Sequence, residues 1–146
     1  NTSAKPFGNP SGSSSSYGGN PLASAAGRGA LEIIIDEKLV ENSKKVGAYI
    51  KKRLLAFKDK CKIVGDVRGE GLMIGLEMVK DKKTKEPLER KHTLKLFHEC
   101  LGRGLISMCY SSIIRINPPL VITKPEAEEA VDILETSLTS IAKDCR

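Results

Sequence analysis

The sequence has few of the residues that build stacking surfaces or catalytic triads. It has no tryptophan, 4% aromatic residues and two histidines among 146 residues. Nucleic-acid binding by base stacking is therefore weakly supported, because it relies on aromatic platforms. The histidines, His92 and His98, have no serine, cysteine or aspartate beside them in a triad context. Both are therefore interpreted as helix residues rather than as catalysts.

Metal-site and membrane signatures are also missing. The four cysteines form no Cys-x-x-Cys pair and have no histidine at zinc-ligand spacing, so no metal site is predicted. Free thiols fit a reducing compartment best, and a cytoplasmic location is expected. No apolar run reaches the roughly 18–20 residues of a membrane span, and no signal-peptide pattern opens the chain. A membrane partner is therefore not expected.

Basic residues exceed acidic ones: 24 lysines and arginines stand against 18 aspartates and glutamates, a formal charge of +6 at pH 7. Clustered basic residues would suit a polyanion, because they release counterions from phosphates. Here most of them are interleaved with acids, which favours a solvated surface, and no nucleic-acid partner is expected. The competing interpretation is a non-enzymatic basic binding module with a flexible serine-rich arm.

The first 29 residues contain no aspartate or glutamate and are rich in serine, glycine and proline, as is typical of a linker or disordered tail. Near the end of this stretch, Asn20 followed by Pro21 predicts a helix start, because asparagine is a strong N-cap and proline is favoured at the first helical position. Serines and glycines before a helix start can bind an anion. The residues alone favour a flexible tail over a phosphate site.

Hydrophobic periodicity after this stretch predicts helices alternating with strand pairs. The predicted helices start at Pro21, cover residues 46–57 and 94–101, and follow a capping box at residues 123–126. The predicted strand pairs are residues 63–64 with 72–79, joined through glycine-rich residues 65–71, and residues 105–109 with 113–116. This order predicts an α+β fold with helices on a small, largely antiparallel sheet.

Arg115 lies among isoleucines in a predicted strand. Alternation places it with Ile113 on one face and Ile114 and Ile116 on the other. A guanidinium there is suited to hold a carboxylate through two parallel hydrogen bonds. An arginine on a solvated sheet face, or one paired internally with a glutamate, explains the pattern equally well.

A second arginine, Arg68, lies in the predicted glycine-rich connection. Arginines in turns are usually solvated or paired locally, and Asp66 and Glu70 are available as partners. The sequence therefore assigns it no function.

Four segments occur in a fixed order: Ser-Ser-Tyr-Gly-Gly-Asn-Pro-Leu at 15–22, Leu-Val-Glu-Asn at 39–42, Gly-Asp-Val-Arg-Gly-Glu-Gly-Leu-Met-Ile-Gly at 65–75, and Ile-Arg-Ile-Asn-Pro-Pro-Leu at 114–120. Together they resemble the C-terminal third of class III, pyridoxal-phosphate-dependent aminotransferases of the 4-aminobutyrate, ornithine and acetylornithine type. The resemblance implies a fold-type I enzyme that is α/β overall when intact. Residues 1–40 are then expected to be a remnant of the cofactor-site loop and connecting helix, and residues 41–146 the C-terminal small domain.

The resemblance also implies site residues. Ser15 and Ser16 match a Ser-Thr pair whose threonine reaches the cofactor phosphate of the neighbouring subunit, and Ser16 keeps the hydroxyl while losing the methyl group. Arg115 matches the arginine that binds the substrate carboxylate. The Schiff-base lysine of the family lies upstream, before Asn1. No catalytic residue is therefore expected in this chain, which should be inactive alone.

The function implied by the resemblance is transfer of an amino group from an amino acid or ω-amine to a 2-oxo acid, with pyridoxal 5'-phosphate as cofactor. The implied partners are these small molecules and a second copy of the intact subunit, as a homodimer.

Overall fold

The computed structural model describes residues 18–145. The chain divides after Lys38 into two compact units. Helices and strands follow one another in the order α1 (Pro21–Asp36), α2 (Leu39–Lys60), β1 (Val64–Glu70), β2 (Met73–Met78), α3 (Arg90–Gly102), β3 (Ile113–Ile116) and α4 (Lys124–Asp144).

Side-chain caps fix two of the predicted helix starts. Asn20 precedes α1 in an extended conformation, and its side-chain oxygen accepts a hydrogen bond from the Ala23 N–H at 2.9 Å. Before α4, the Glu126 N–H donates to Thr123 Oγ1 at 3.4 Å, and Glu126 Oε2 accepts from the Thr123 N–H at 2.8 Å. Both predicted starts are confirmed, because the caps satisfy N–H groups that have no partner inside the helix.

The second unit is a three-stranded antiparallel sheet, in the order β1-β2-β3, with helices packed on one face. Helix α2 packs on β1 and β2, and α4 packs on α2 and α3. The sheet directs apolar side chains into this core, among them Val67, Ile74, Leu76 and Ile114. The predicted α+β fold is therefore confirmed.

The glycine-rich stretch is a strand rather than the predicted connection. Residues Val64–Glu70 form β1, and only Gly71 and Leu72 turn the chain into β2. A Cβ atom at Gly65 would lie 2.6 Å from Val79 Cγ1, and one at Gly69 would lie 2.1 Å from the Met73 carbonyl oxygen. The glycines are thus needed because neighbouring chain segments approach closely, which the sequence pattern did not separate from loop formation.

The predicted strand at residues 105–109 is also wrong. β3 is confirmed, but it pairs with β2, and residues 105–109 contribute a single bridge between Met108 and Arg115. The Cys109 N–H donates to the Ser107 carbonyl oxygen at 3.2 Å within the same segment. The Ser107 hydroxyl also lies 3.0 Å from Cys109 Sγ. These local hydrogen bonds compete with the regular backbone hydrogen bonds that a strand at residues 105–109 would form with β3.

Helix α2 contacts the β1–β2 turn through a position without a side chain. A Cβ atom at Gly47 would lie 2.0 Å from the carbonyl oxygen of Gly71. One helical turn earlier, Ser43 Oγ accepts a hydrogen bond from the Leu72 N–H at 3.1 Å. The turn is therefore held against the helix by backbone contact and one side-chain hydrogen bond.

We predict that Gly47→Ala destabilises the protein by about 1–3 kcal/mol, because the added methyl group must separate α2 from the turn. Gly102→Ala is the matched control, since a Cβ atom there meets no described atom within 4 Å. It should change stability by less than about 0.5 kcal/mol. Urea denaturation of both variants measures the difference. Equal stability of the two variants would show that the helix is not packed this closely.

Candidate functional site

The candidate site is the face of the sheet that the helices leave uncovered. The strand register pairs Arg68 with Gly75 and Gly75 with Arg115. Directly paired residues of antiparallel strands point to the same face. These three residues therefore form a row across the sheet, which we call the arginine row.

At one end of the arginine row, Arg115 has the orientation that alternation predicts. Ile114 is 1% exposed, whereas Ile113 is 40% exposed and Arg115 also lies at the surface. Within residues 18–145 the guanidinium makes no hydrogen bond or ion pair with another side chain, so the alternative of internal pairing with a glutamate is not met there. The side chain is available for an anion.

At the other end, Arg68 is in β1 and not in a turn. Its Nη1 donates to Asp66 Oδ2 at 3.2 Å and to Glu77 Oε2 at 3.4 Å. Local pairing was predicted with Asp66 or Glu70, and Glu77 takes the place of Glu70. The reason is the register, which sets Glu77 directly opposite Asp66 and brings both carboxylates to the same side of Arg68.

Asp66 joins this group to helix α2. Lys58 Nζ lies 3.4 Å from Asp66 Oδ1. Partial burial raises the pKa of Asp66, but hydrogen bonds from Arg68, from the Val67 N–H and from Lys58 outweigh this and hold its pKa below 3.8. The carboxylate is therefore ionised at neutral pH and keeps Arg68 close to the sheet.

Asn42 fixes the chain that follows β3. Its Nδ2 donates to the carbonyl oxygens of Leu120 at 2.7 Å and of Ile122 at 3.0 Å. This side chain belongs to α2, so one residue connects the main helix to the segment behind Arg115. The sequence placed Asn42 in a motif but could not reveal this contact, because its partners lie 78 and 80 residues away.

A cavity of about 380 Å³ lies next to β3. Among the residues that the structure describes, its walls come from α2, β3, α4, residues 105–108, residues 117–119 and Ile122, and Arg115 is the only charged residue in this lining. This lining has no carboxylate, histidine or lysine that could transfer a proton, so the cavity is an apolar neighbour of the arginine row.

The predicted phosphate contacts, Ser15 and Ser16, lie outside the described residues. In the chain just after them, Gly18 and Gly19 are exposed, and Asn20 caps α1. The first turn of α1 has no acidic residue. A helix start with no nearby carboxylate in its own first turn attracts anions, so this end of α1 fits a phosphate group.

The lysines with shifted pKa values are poor candidates for an amine nucleophile. The pKa of Lys91 is raised by its hydrogen bond to Glu89, and that of Lys95 by its hydrogen bond to Asp144. An amine nucleophile needs a lowered pKa, because only the uncharged amine attacks. Both lysines are therefore interpreted as surface ion-pair residues.

The remaining polar groups serve the fold. All four cysteines are free, and Cys61, Cys100 and Cys109 are buried. Burial raises the pKa of the Cys61 thiol, which makes it less reactive. Across residues 18–145, no three histidine, cysteine, aspartate or glutamate side chains are grouped to hold a metal ion. None of the described helices has the length and apolar character needed to cross a membrane.

Comparison with known proteins identifies the class. Residues 3–138 match the family described as aminotransferase class-III. The chain belongs to the class-III aminotransferase family, which confirms the resemblance of the four sequence segments at this level. The finer 4-aminobutyrate, ornithine or acetylornithine type stays a prediction.

Individual relatives agree with this family. The chain is 44% identical over 126 residues to mitochondrial alanine–glyoxylate aminotransferase 2 of Pongo abelii, covering 84% of this chain and 24% of that protein. It is 43% identical over 122 residues to an alanine/serine racemase of Pyrococcus horikoshii, and the match covers 82% of this chain and 25% of that protein. The structure of a Bacillus anthracis aminotransferase matches with a TM-score of 0.78 and 34% identity, covering 83% of this chain and 28% of that one. The chain thus spans about a quarter of the length of these curated relatives.

The lowered pKa of Asp66 predicts an acid-dependent contribution to stability. Ionised Asp66 stabilises the fold above pH 3.8, and this contribution is lost as the pH falls through the lower pKa of the folded state. We expect Asp66→Asn to lose about 0.5–1 kcal/mol at pH 7, the scale of exposed ion pairs. This loss should become smaller as the pH falls toward 2, because Asp66 then takes up its proton in the folded state as well.

Urea denaturation at both pH values measures this difference. Glu128→Gln is the control, since Glu128 is exposed and forms no ion pair within residues 18–145. A difference for Asp66→Asn that stayed constant between pH 7 and pH 2 would contradict the ion-pair explanation.

Proposed function

We propose that the whole protein is a pyridoxal-phosphate-dependent aminotransferase that moves an amino group from an amino acid or ω-amine to a 2-oxo acid. The observation that carries the proposal is the exposed Arg115 guanidinium on a sheet strand of a class-III family chain, with no acid of the described residues paired to it. A planar guanidinium binds a carboxylate with two parallel hydrogen bonds. Its role is to hold and orient the substrate.

The strand gives Arg115 a fixed base. β3 pairs with β2 from Ile113 to Ile116, and Ile114 anchors it in the core. Asn42 holds the chain beyond the strand. Holding the carboxylate at a fixed point restricts the position of the neighbouring amine or carbonyl carbon, which lowers the entropic cost of reaction.

Pyridoxal 5'-phosphate would supply an electron sink for the substrate carbon that loses or gains a proton. Ser15 and Ser16 are proposed to hold its phosphate, which the acid-free start of α1 supports. By family resemblance this phosphate belongs to the neighbouring subunit, and a homodimer is proposed for the whole enzyme. The Schiff-base lysine is proposed to come from a part of the protein outside these 146 residues.

The names of the relatives reduce the number of candidate amino donors. The four sequence segments are similar to enzymes acting on 4-aminobutyrate, ornithine and acetylornithine. The relative at 44% identity is named for alanine and glyoxylate, so we propose alanine as donor and glyoxylate as acceptor. The 43% identical relative named alanine/serine racemase makes alanine racemisation the second candidate. Both reactions would hold the alanine carboxylate at Arg115.

The location is a further proposal. We propose a cytoplasmic location, because the four free cysteines fit a reducing compartment. The relative named as mitochondrial makes the mitochondrion the alternative. Fractionation of cells that express the full-length protein distinguishes the cytoplasmic from the mitochondrial location.

The sequence alone also allowed a non-enzymatic basic binding module. Because the chain belongs to the class-III aminotransferase family, we propose the enzyme instead of that module.

We predict that Arg115→Ala lowers kcat/KM for alanine and glyoxylate about tenfold or more, because each charged hydrogen bond contributes about 1.5–3 kcal/mol. Most of the loss should appear in KM. Arg115→Lys should be intermediate, since it keeps the charge but not the paired geometry. The measurement is steady-state kinetics of the full-length protein with pyridoxal phosphate.

Arg103→Ala is the control for this experiment, because Arg103 is an exposed arginine on the end of α3 that pairs with Glu99. Unchanged kinetics in Arg115→Ala would remove the assignment of Arg115 as the carboxylate-binding residue.

Incubation of the wild type with L-alanine and no oxo acid tests for racemisation, the second candidate activity. Formation of D-alanine in this incubation, at a rate above that of amino transfer measured separately with glyoxylate, would favour the racemase.

A further inference from the structure

Gly75 has no structural explanation within the described residues. It lies in the central strand β2, where glycine weakens pairing because it has no side chain to pack. Its φ is not positive, and a Cβ atom there would come no closer than 3.8 Å to any described atom. Gly47, Gly65 and Gly69 are different, since a Cβ atom at each would overlap a neighbour.

The residues paired with Gly75 on the two neighbouring strands are both arginines, and the Ile113 side chain also borders this position, with its Cγ2 3.9 Å from where a Gly75 Cβ would lie. Arg68 and Arg115 lie on either side of it, and their Cα atoms are two strand spacings apart, about 10 Å. Arg68 Cγ is 3.9 Å from the position that a Gly75 Cβ would take. The Arg68 Cγ atom therefore borders the space that the missing side chain leaves open, while its guanidinium lies beside Asp66 and Glu77.

Arg68 keeps unused donors despite its ion pairs. Both carboxylate contacts use the same nitrogen, Nη1, at 3.2 and 3.4 Å. Its Nε and Nη2 have no partner among residues 18–145. The side chain is 52% exposed, and ion pairs at such exposure are weak, so the guanidinium can reorient toward a ligand.

We propose that Arg68 and Arg115 form a clamp that holds one substrate carboxylate over Gly75. The proposal rests on the proposed function and adds a second binding residue to it. The carboxylate would accept hydrogen bonds from both guanidiniums, and the glycine provides the space between them. The clamp selects substrates with a carboxylate against neutral amines and aldehydes, because a neutral substrate leaves Arg115 without an acidic partner among residues 18–145 and gives the free donors of Arg68 no carboxylate to bind.

Three variants of the full-length protein test the clamp: Arg68→Ala, Arg68→Lys and Gly75→Ala, with Arg103→Ala as the matched control. Calorimetry measures the dissociation constant of glutarate, a carboxylate probe with no amino or oxo group. Steady-state kinetics compares KM for alanine with KM for an amine that has no carboxylate. Thermal unfolding reports whether each variant folds.

We expect Arg68→Ala to weaken glutarate binding and to raise KM for alanine at least tenfold, with little change for the neutral amine. Arg68→Lys should recover part of the loss. Gly75→Ala should unfold at the same or a higher temperature, because alanine suits a strand better than glycine, and yet bind glutarate about fivefold more weakly. A purely structural role of Arg68 would affect acidic and neutral substrates equally.

The outcomes separate the clamp from the proposed function. Amino transfer with unchanged glutarate binding in Arg68→Ala and Gly75→Ala would overturn the clamp and leave the function intact. No amino transfer, but glutarate binding that depends on Arg68 and Gly75, would overturn the function and support the clamp. A wild type that does not bind glutarate would overturn the clamp.

Discussion

Backbone hydrogen bonds between β2 and its two neighbours determine which residues share a face of the sheet. A shift of one residue would turn every side chain of a strand to the opposite face. With the observed register, Ile74 and Leu76 enter the core and Gly75 between them faces outward. The same pairing aligns Arg68 and Arg115 on that outer face. The core and the candidate site are therefore two consequences of one register.

Helix α2 holds this register in place. It contacts the β1–β2 turn through Gly47, and its Asn42 binds the chain beyond β3. Lys58, near the other end of the helix, reaches Asp66 beside the arginine row. One helix thus contacts the turn before the central strand, the segment after the edge strand and the ion pairs of Arg68. Changes in its packing are expected to affect the position of the site.

Local signals in the sequence predicted the features that depend on neighbouring residues. The caps at Asn20 and Thr123 located two helix starts, and alternation gave the outward face of Arg115. Glycine density was misinterpreted at β1 because a close approach and a turn both favour glycine. The pairing of Arg68 with Glu77 could not be predicted, since it depends on strand register. Ser15 and Ser16 remain predictions from resemblance.

The outer face of the sheet is the place where we propose that the substrate carboxylate binds. The most direct test is a crystal structure of the full-length protein with pyridoxal phosphate and an unreactive carboxylate analogue of alanine. We predict that the carboxylate lies over Gly75, with guanidinium nitrogens of Arg115 about 2.7–2.9 Å from its oxygens. A carboxylate bound elsewhere, with Arg115 directed into solvent, would contradict the account.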